Sequence, residues 1–184
     1  MSTVLFLANS LGAQTIINGG FEDDKIVPGG NNPTTPFGWS YAAGDPWVTS
    51  VTAPDAVVGA VDNAYLQAGS SMVIYQEIFG LVVGQDYEIT YLVGNSAYPS
   101  PGPQVGTVSI AGNLVSHYDG SGLPIPMAPG SIRFTAGATS ELLYVYSKSN
   151  TTSFDEFVIT PIPEPSSLFL IGVGAFSVLV KRRR

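Results

Sequence analysis

The sequence predicts an all-β protein: a two-sheet antiparallel β-sandwich (jelly roll), followed by a single short C-terminal hydrophobic helix. Three observations predict it. Tyr (9) and Phe (9) are plentiful among many Val, Ile and Thr, the residue types that suit pleated, half-buried strands. Glycine (21) and proline (14) interrupt the chain every few residues, as turns between short strands require. Between the two ends, no 12-residue stretch carries helical periodicity.

Ten runs read as strands: Thr15–Asn18, Trp47–Val51, Ala64–Gln67, Met72–Ile78, Asp86–Val93, Gly106–Ile110, Asn113–Ser116, Gly130–Thr135, Leu142–Ser147 and Ser153–Ile159. In the fifth, Tyr87, Ile89, Tyr91 and Val93 alternate onto one face. Turn signals separate the runs: Asn18-Gly19-Gly20, Pro28-Gly29-Gly30, Pro99 to Pro103 and Asp119 to Gly122. Lys25–Pro36 reads as a long surface loop. With 184 residues and no internal repeat, one domain over residues 14–160 is expected.

Charge excludes several functions. Charged residues are only 11% of the chain, against about 25% in ordinary soluble domains. Four of the seven basic residues are Lys181, Arg182, Arg183 and Arg184. Residues 14–160 keep 13 acids against 3 bases, a net of −10. Such a surface repels phosphates, so no nucleic acid partner is expected. There is no cysteine, which removes disulfides, thiolate nucleophiles and Cys-ligated zinc. His117 is the single histidine. Without a Gly-x-Ser-x-Gly elbow it makes no hydrolase triad, and alone it makes no His-based metal centre. It reads as an exposed turn residue. The carboxylate pairs Glu22/Asp23, Glu77/Asp86 and Asp155/Glu156 cannot be set across a sugar from sequence. No catalysis is expected.

The two ends read as addresses. Residues 1–13 hold a short apolar run, Val4 to Ala8, then small residues, as in a signal peptide lacking its basic start. At the other end, Pro163-Glu164-Pro165 precedes an uncharged apolar run, 168–180, and the basic cluster 181–184. Apolar run and basic stop follow the positive-inside pattern of a membrane anchor, although 13 residues fall short of a full span. In that order, these parts of residues 161–184 resemble the PEP-CTERM sorting signal. The resemblance implies export by a Gram-negative bacterium, transient anchoring in the inner membrane, and processing by an exosortase. It also implies a place in the cell envelope, or in an extracellular polysaccharide matrix or biofilm.

The body carries a second resemblance. Ile17-Asn18-Gly19-Gly20-Phe21-Glu22, Phe37-Gly38-Trp39, Tyr75-Gln76-Glu77-Ile78, Gly84 to Tyr87, Arg133 to Ala136 and Phe154-Asp155-Glu156-Phe157-Val158-Ile159 follow one another. Their order resembles the galactose-binding-like jelly rolls, which include carbohydrate-binding modules. The resemblance implies that Glu22 and Asp155, from the first and last strands, hold a structural calcium. Independently, loop-borne aromatics present flat faces to sugar C–H groups with a polar tip. Tyr41, Trp47 and Tyr98 are therefore the candidate ligand-binding residues. Tyr65, Tyr75, Tyr87, Tyr91, Tyr144 and Tyr146 fall within strand runs and read as packing residues. Trp39 reads as a core plug. Two functions fit: a structural or adhesive protein of the envelope or matrix, or a carbohydrate-binding module for an extracellular glycan.

Overall fold

The computed structural model describes residues 14–24, 26–54, 56–69, 71–96, 104–119, 123–148 and 151–163. They form two antiparallel sheets and hold no helix. The strands are β1 (Asn31–Pro33), β2 (Ser40–Ala43), β3 (Pro46–Ser50), β4 (Ala64–Ala68), β5 (Val73–Phe79), β6 (Asp86–Asn95), β7 (Gln104–Ile110), β8 (Asn113–Asp119), β9 (Ile125–Thr135), β10 (Ser140–Ser147) and β11 (Thr152–Pro161). The six-stranded sheet runs β1-β3-β4-β11-β6-β9; the five-stranded sheet runs β2-β5-β10-β7-β8. This is the predicted β-sandwich. The apolar run 168–180, expected as a helix, the basic cluster 181–184, Glu164, Pro165 and residues 1–13 lie outside the described residues.

Alternation builds the core. On β5, Ile74, Gln76 and Ile78 are buried while Val73, Tyr75, Glu77 and Phe79 face outward. On β6, Tyr87, Ile89, Tyr91 and Val93 are buried, as their spacing predicts. Leu143, Val145, Val108, Ile110, Ile132, Phe134 and Phe154 complete the layer between the sheets.

Three sequence expectations need correction. First, Thr15–Asn18 is not a strand. It is a strap across the open side of the sandwich, bonded to a side chain instead of a neighbouring strand. The Gln76 amide accepts from the Ile17 N–H at 2.7 Å and donates to the Ile17 and Gly38 carbonyls. Secondly, Lys25–Pro36, expected as a loop, contains β1, paired with β3 from Asn31↔Thr49 to Pro33↔Trp47. Three exposed polar residues at a sheet edge leave no alternation to read. Thirdly, β9 begins at Ile125, five residues before the expected Gly130, despite Pro126 and Pro129. β9 is an edge strand, where a missing N–H costs no ladder bond on its open side.

A bulge in β11 locks the strap. The β11–β6 register shifts between Asp155 and Val158, and Glu156 takes φ +54°. The bulge turns the Phe157 N–H outward, where it donates to the Gly19 carbonyl at 3.0 Å. A Cβ on Gly19 would collide with the Phe157 carbonyl oxygen. Glycine is required there for close approach.

Topology also gives the domain a direction. β11 starts at Thr152 and ends at Pro161, opposite Tyr87. The Ile162 N–H then donates to the Asp86 carbonyl at 2.8 Å, and the Gln85 amide donates to the Ile162 carbonyl at 2.6 Å. The fold thus holds the chain up to the residue before Pro163, so the tail departs from this pole. The opposite pole gathers the start of β7, β9 and β11 and the ends of β6 and β8.

Candidate functional site

The two expected calcium ligands do approach each other. Glu22 follows the strap, and Asp155 sits just before the bulge. Asp155 is fully buried, and burial pushes its carboxyl up to about 7. The negative charges of Glu156 and Glu22 act in the same direction, against the backbone amides of Val61 and Glu156. Those amides donate to Oδ2 and Oδ1, each at 2.9 Å. Glu22 Oε1 accepts from the Asn63 and Ala64 N–H groups at 2.9 and 2.8 Å. Each carboxylate therefore fastens the 61–64 turn to the sandwich. Among the described residues, no group of three or more Asp, Glu or His side chains converges to hold a metal. A cation here would have to draw its remaining oxygens from backbone carbonyls.

The three candidate ligand-binding aromatics do not form one surface among the described residues. Tyr98 lies outside them. Tyr41 is half exposed on β2, opposite the core residue Ile74. It borders a shallow depression of about 190 Å³ with Pro33, Thr34, Asp45 and Pro46. Trp47 belongs to the other sheet, on β3, opposite Gln67. It is partly buried, with its indole nitrogen against Gly69. Trp39 is a core plug, as expected. Its ring packs on Phe21 and Phe157, each 5.7 Å away, and its Nε1 donates to the Asn18 carbonyl.

The aromatic surface lies elsewhere, on residues read from sequence as packing. Tyr65, Tyr87 and Tyr91 are buried. Tyr75 and Tyr144 instead stand on the outer face of the five-stranded sheet. The register places Ser40 opposite Tyr75, Tyr75 opposite Tyr144, Tyr144 opposite Ser109, and Ser109 opposite Leu114. One row thus crosses all five strands, a length of about 20 Å at about 4.8 Å per strand. The Tyr75 and Tyr144 rings lie 5.6 Å apart and tilted by 37°. Tyr144 is 36% exposed and Leu114 64% exposed. On one side of the row run Val73, Tyr146, Thr107 and Ser116; on the other, Glu77 and Leu142.

Polar groups are interleaved with the rings. The Ser140 hydroxyl donates to Glu77 Oε1 at 2.7 Å, and the hydroxyls of Thr107 and Ser116 lie 3.1 Å apart. Beside Tyr144, a depression of about 420 Å³ is bordered by Glu77, Ser140, Glu141 and Leu142. Glu141 Oε1 accepts from the Gly137 N–H at 3.1 Å. Glu77 is therefore tied to its own sheet and Glu141 to the turn between β9 and β10. A row of rings, hydroxyls and aliphatic groups on a rigid sheet can stack on apolar sugar faces and bond their hydroxyls.

His117 also departs from expectation. It is in β8 and is half-buried, not an exposed turn residue. Its Nε2 pairs with the Tyr91 hydroxyl at 2.7 Å, and the rings meet edge to face at 5.5 Å. Burial pushes the imidazole below its ordinary value and the Tyr91 hydroxyl up to about 12.

Comparison with known proteins bears on the tail and the fold. The family model of the PEP-CTERM protein-sorting motif matches residues 161–184. The chain thus carries that sorting signal, which implies exosortase-type export to the cell envelope. No curated protein matches the chain. Among solved structures, the enzymatically active domain of bacteriophage CBA120 tailspike protein 4 aligns with a TM-score of 0.51 at 8% identity. It covers 81% of this chain and 21% of that one. TmCBM61, solved with β-1,4-galactotriose, aligns at 17% identity and a TM-score of 0.48, covering 82% of this chain and 100% of its own. The CBM22-1 xylan-binding domain of Paenibacillus barcinonensis Xyn10C aligns at 20% identity and a TM-score of 0.48, covering 79% and 93%. Such identities speak to the sandwich fold alone.

Proposed function

We propose that this is a non-catalytic carbohydrate-binding protein, exported by a Gram-negative bacterium through an exosortase-type system. It holds neutral polysaccharide along the outer face of its five-stranded sheet. The single observation that carries the reading is the row Ser40–Tyr75–Tyr144–Ser109–Leu114. Two outward-facing rings at the centre, Tyr75 partly and Tyr144 more fully exposed, flanked by hydroxyls, suit a chain of sugar rings better than a protein partner with a continuous apolar core. The net charge of −10 over residues 14–160 selects against acidic glycans. The adhesive or matrix role follows from the same binding: one end of the domain carries the sorting tail, and the lateral face holds polysaccharide. A calcium between Glu22 and Asp155 is a separate proposal. It would supply the countercharge that two neighbouring carboxylates in an acidic body lack.

Affinity electrophoresis through gels containing xylan, galactan, β-glucan or, as an acidic control, alginate tests this reading. At least one neutral gel is expected to retard the protein, and alginate is not. Each ring contact is worth about 0.5–1.5 kcal/mol, and 1.4 kcal/mol is tenfold in affinity. The double variant Tyr75→Ala, Tyr144→Ala is therefore expected to lose about fivefold or more. Equal mobility in every gel, or retardation that the double variant leaves intact, refutes the proposal.

A further inference from the structure

We infer that the pole from which the tail departs is a membrane-docking surface, which rests on a phospholipid bilayer through Phe79 and Val83. The inference deepens the export reading: it rests on the apolar run 168–180 entering a bilayer before the tail is cut.

Two turns build this pole. Residues 80–85 join β5 to β6, and residues 136–139 join β9 to β10. They are fastened together, because the Leu81 N–H donates to the Thr139 carbonyl at 3.1 Å and the Gly84 N–H to the Ala136 carbonyl at 2.8 Å. Ile162 is bonded beside them, to Asp86 and Gln85. Leu81 is buried beneath, whereas Phe79 is 64% exposed and Val83 60% exposed. Neither turn contains a charged residue. Residues 1–13, which join the chain at this pole where the Gln14 amide donates to the Gly80 carbonyl, contain none either. The flanking carboxylates of Asp86 and Glu141 are held by the Thr135 hydroxyl and the Gly137 N–H. An aromatic and an aliphatic side chain standing out from uncharged turns suit the boundary between headgroups and acyl chains.

Chain length brings the bilayer to them. Only residues 164–167 separate Pro163 from the apolar run. Five residue steps reach about 18 Å at full extension, so the pole cannot stand far from the bilayer that holds the run. The 13 residues of the run fall short of a span, so the segments flanking it are drawn toward the hydrocarbon. The strands run from this pole to the other. Docking therefore sets them upright, with Tyr75, four residues before Phe79 on β5, about 13 Å above it. The row of rings then lies parallel to the bilayer and clear of it.

Full-length protein reconstituted into phosphatidylcholine vesicles tests the docking. The chain has no cysteine, so Val83→Cys carries one fluorescent label and Val58→Cys carries the control. Val58 is 71% exposed, and its carbonyl accepts from the Met127 N–H near the start of β9, at the other pole. A headgroup-spin-labelled lipid is expected to quench the Val83 label severalfold more strongly than the Val58 label. Phe79→Ser is expected to cut quenching at Val83 severalfold, while the protein floats with the vesicles as before and its melting midpoint holds. Flotation reports the anchor by itself. Protein that does not float overturns the anchoring, and the inference with it. Protein that floats with equal quenching at both positions, or with quenching at Val83 that Phe79→Ser leaves intact, overturns the docking alone. A Val83 label that shifts to the blue without quenching reports contact with protein and overturns it too.

Discussion

Replacing Phe157 with alanine is expected to destabilise the domain by about 3–5 kcal/mol, the range for removing a buried aromatic. For a domain of this size, that lowers the melting midpoint by roughly 10–15 °C. Phe157 is 3% exposed, and its ring meets four others: Tyr91 at 5.1 Å, Trp39 at 5.7 Å, Phe154 at 6.1 Å and Phe21 at 6.3 Å. Phe21 lies just after the N-terminal strap and Trp39 precedes β2. The cluster therefore joins the strap to the centre of the six-stranded sheet. The backbone bond from Phe157 N–H to Gly19 does not require the side chain, so Phe157→Leu is expected to recover about half of the loss. Calorimetry of the three proteins checks this. A loss below about 1 kcal/mol for the alanine variant would show that the cluster is not a packed core.

Asp155 is expected to make the domain less stable as pH rises from about 4 to about 7. The unfolded carboxyl releases its proton near 3.9, whereas the folded one holds it to about 7. Between these values the folded state binds the extra proton, so stability falls with increasing pH, then levels off above 7. At about 1.4 kcal/mol per unit, the span amounts to about 4 kcal/mol for a group with no exposed surface. The other carboxylates titrate as well, so the informative quantity is the difference between the protein and Asp155→Asn. Urea melts at a series of pH values, with chelator, are expected to show the protein losing stability relative to Asp155→Asn steadily from pH 4 to about pH 7. Parallel curves would show that Asp155 is ionised in the fold throughout. Repeating the series with millimolar calcium tests the Glu22–Asp155 ion. A bound cation flattens the slope, and an unchanged slope counts against it.

Most of the sandwich was legible because alternation and turn residues are local signals. Tyr87 to Val93 is a strand for the reasons visible in its spacing, whereas Phe154 to Ile159 alternates only in part. The bulge at Glu156 was not legible, since a non-glycine residue at φ +54° is imposed by the strap it receives. The strap itself, Thr15–Asn18, looked like a strand. Its partner is the side chain of Gln76, which lies on the core-facing side of β5.

The same strand explains why the aromatic face was misread. Val73, Tyr75, Glu77 and Phe79 look as apolar as Ile74, Gln76 and Ile78. Period two says that the sets part, but it does not say which one faces the core. Only the second sheet decides that. Tyr41 and Trp47 looked paired in a short turn-rich segment, yet the Gly44-Asp45 turn sends them to different sheets. A row through Ser40, Tyr75, Tyr144, Ser109 and Leu114 spans five strands in the order β2-β5-β10-β7-β8, and strand order is absent from any single run of sequence.

The outer-face assignment is tested most directly by mapping, with residue-resolved NMR, where a neutral oligosaccharide from the most strongly retarding polysaccharide touches the protein. The account predicts saturable shifts concentrated on Tyr75, Tyr144, Tyr146 and Ser109 of the five-stranded sheet. Shifts confined to the outer face of the β1-β3-β4 side, or none at saturating sugar, would contradict it.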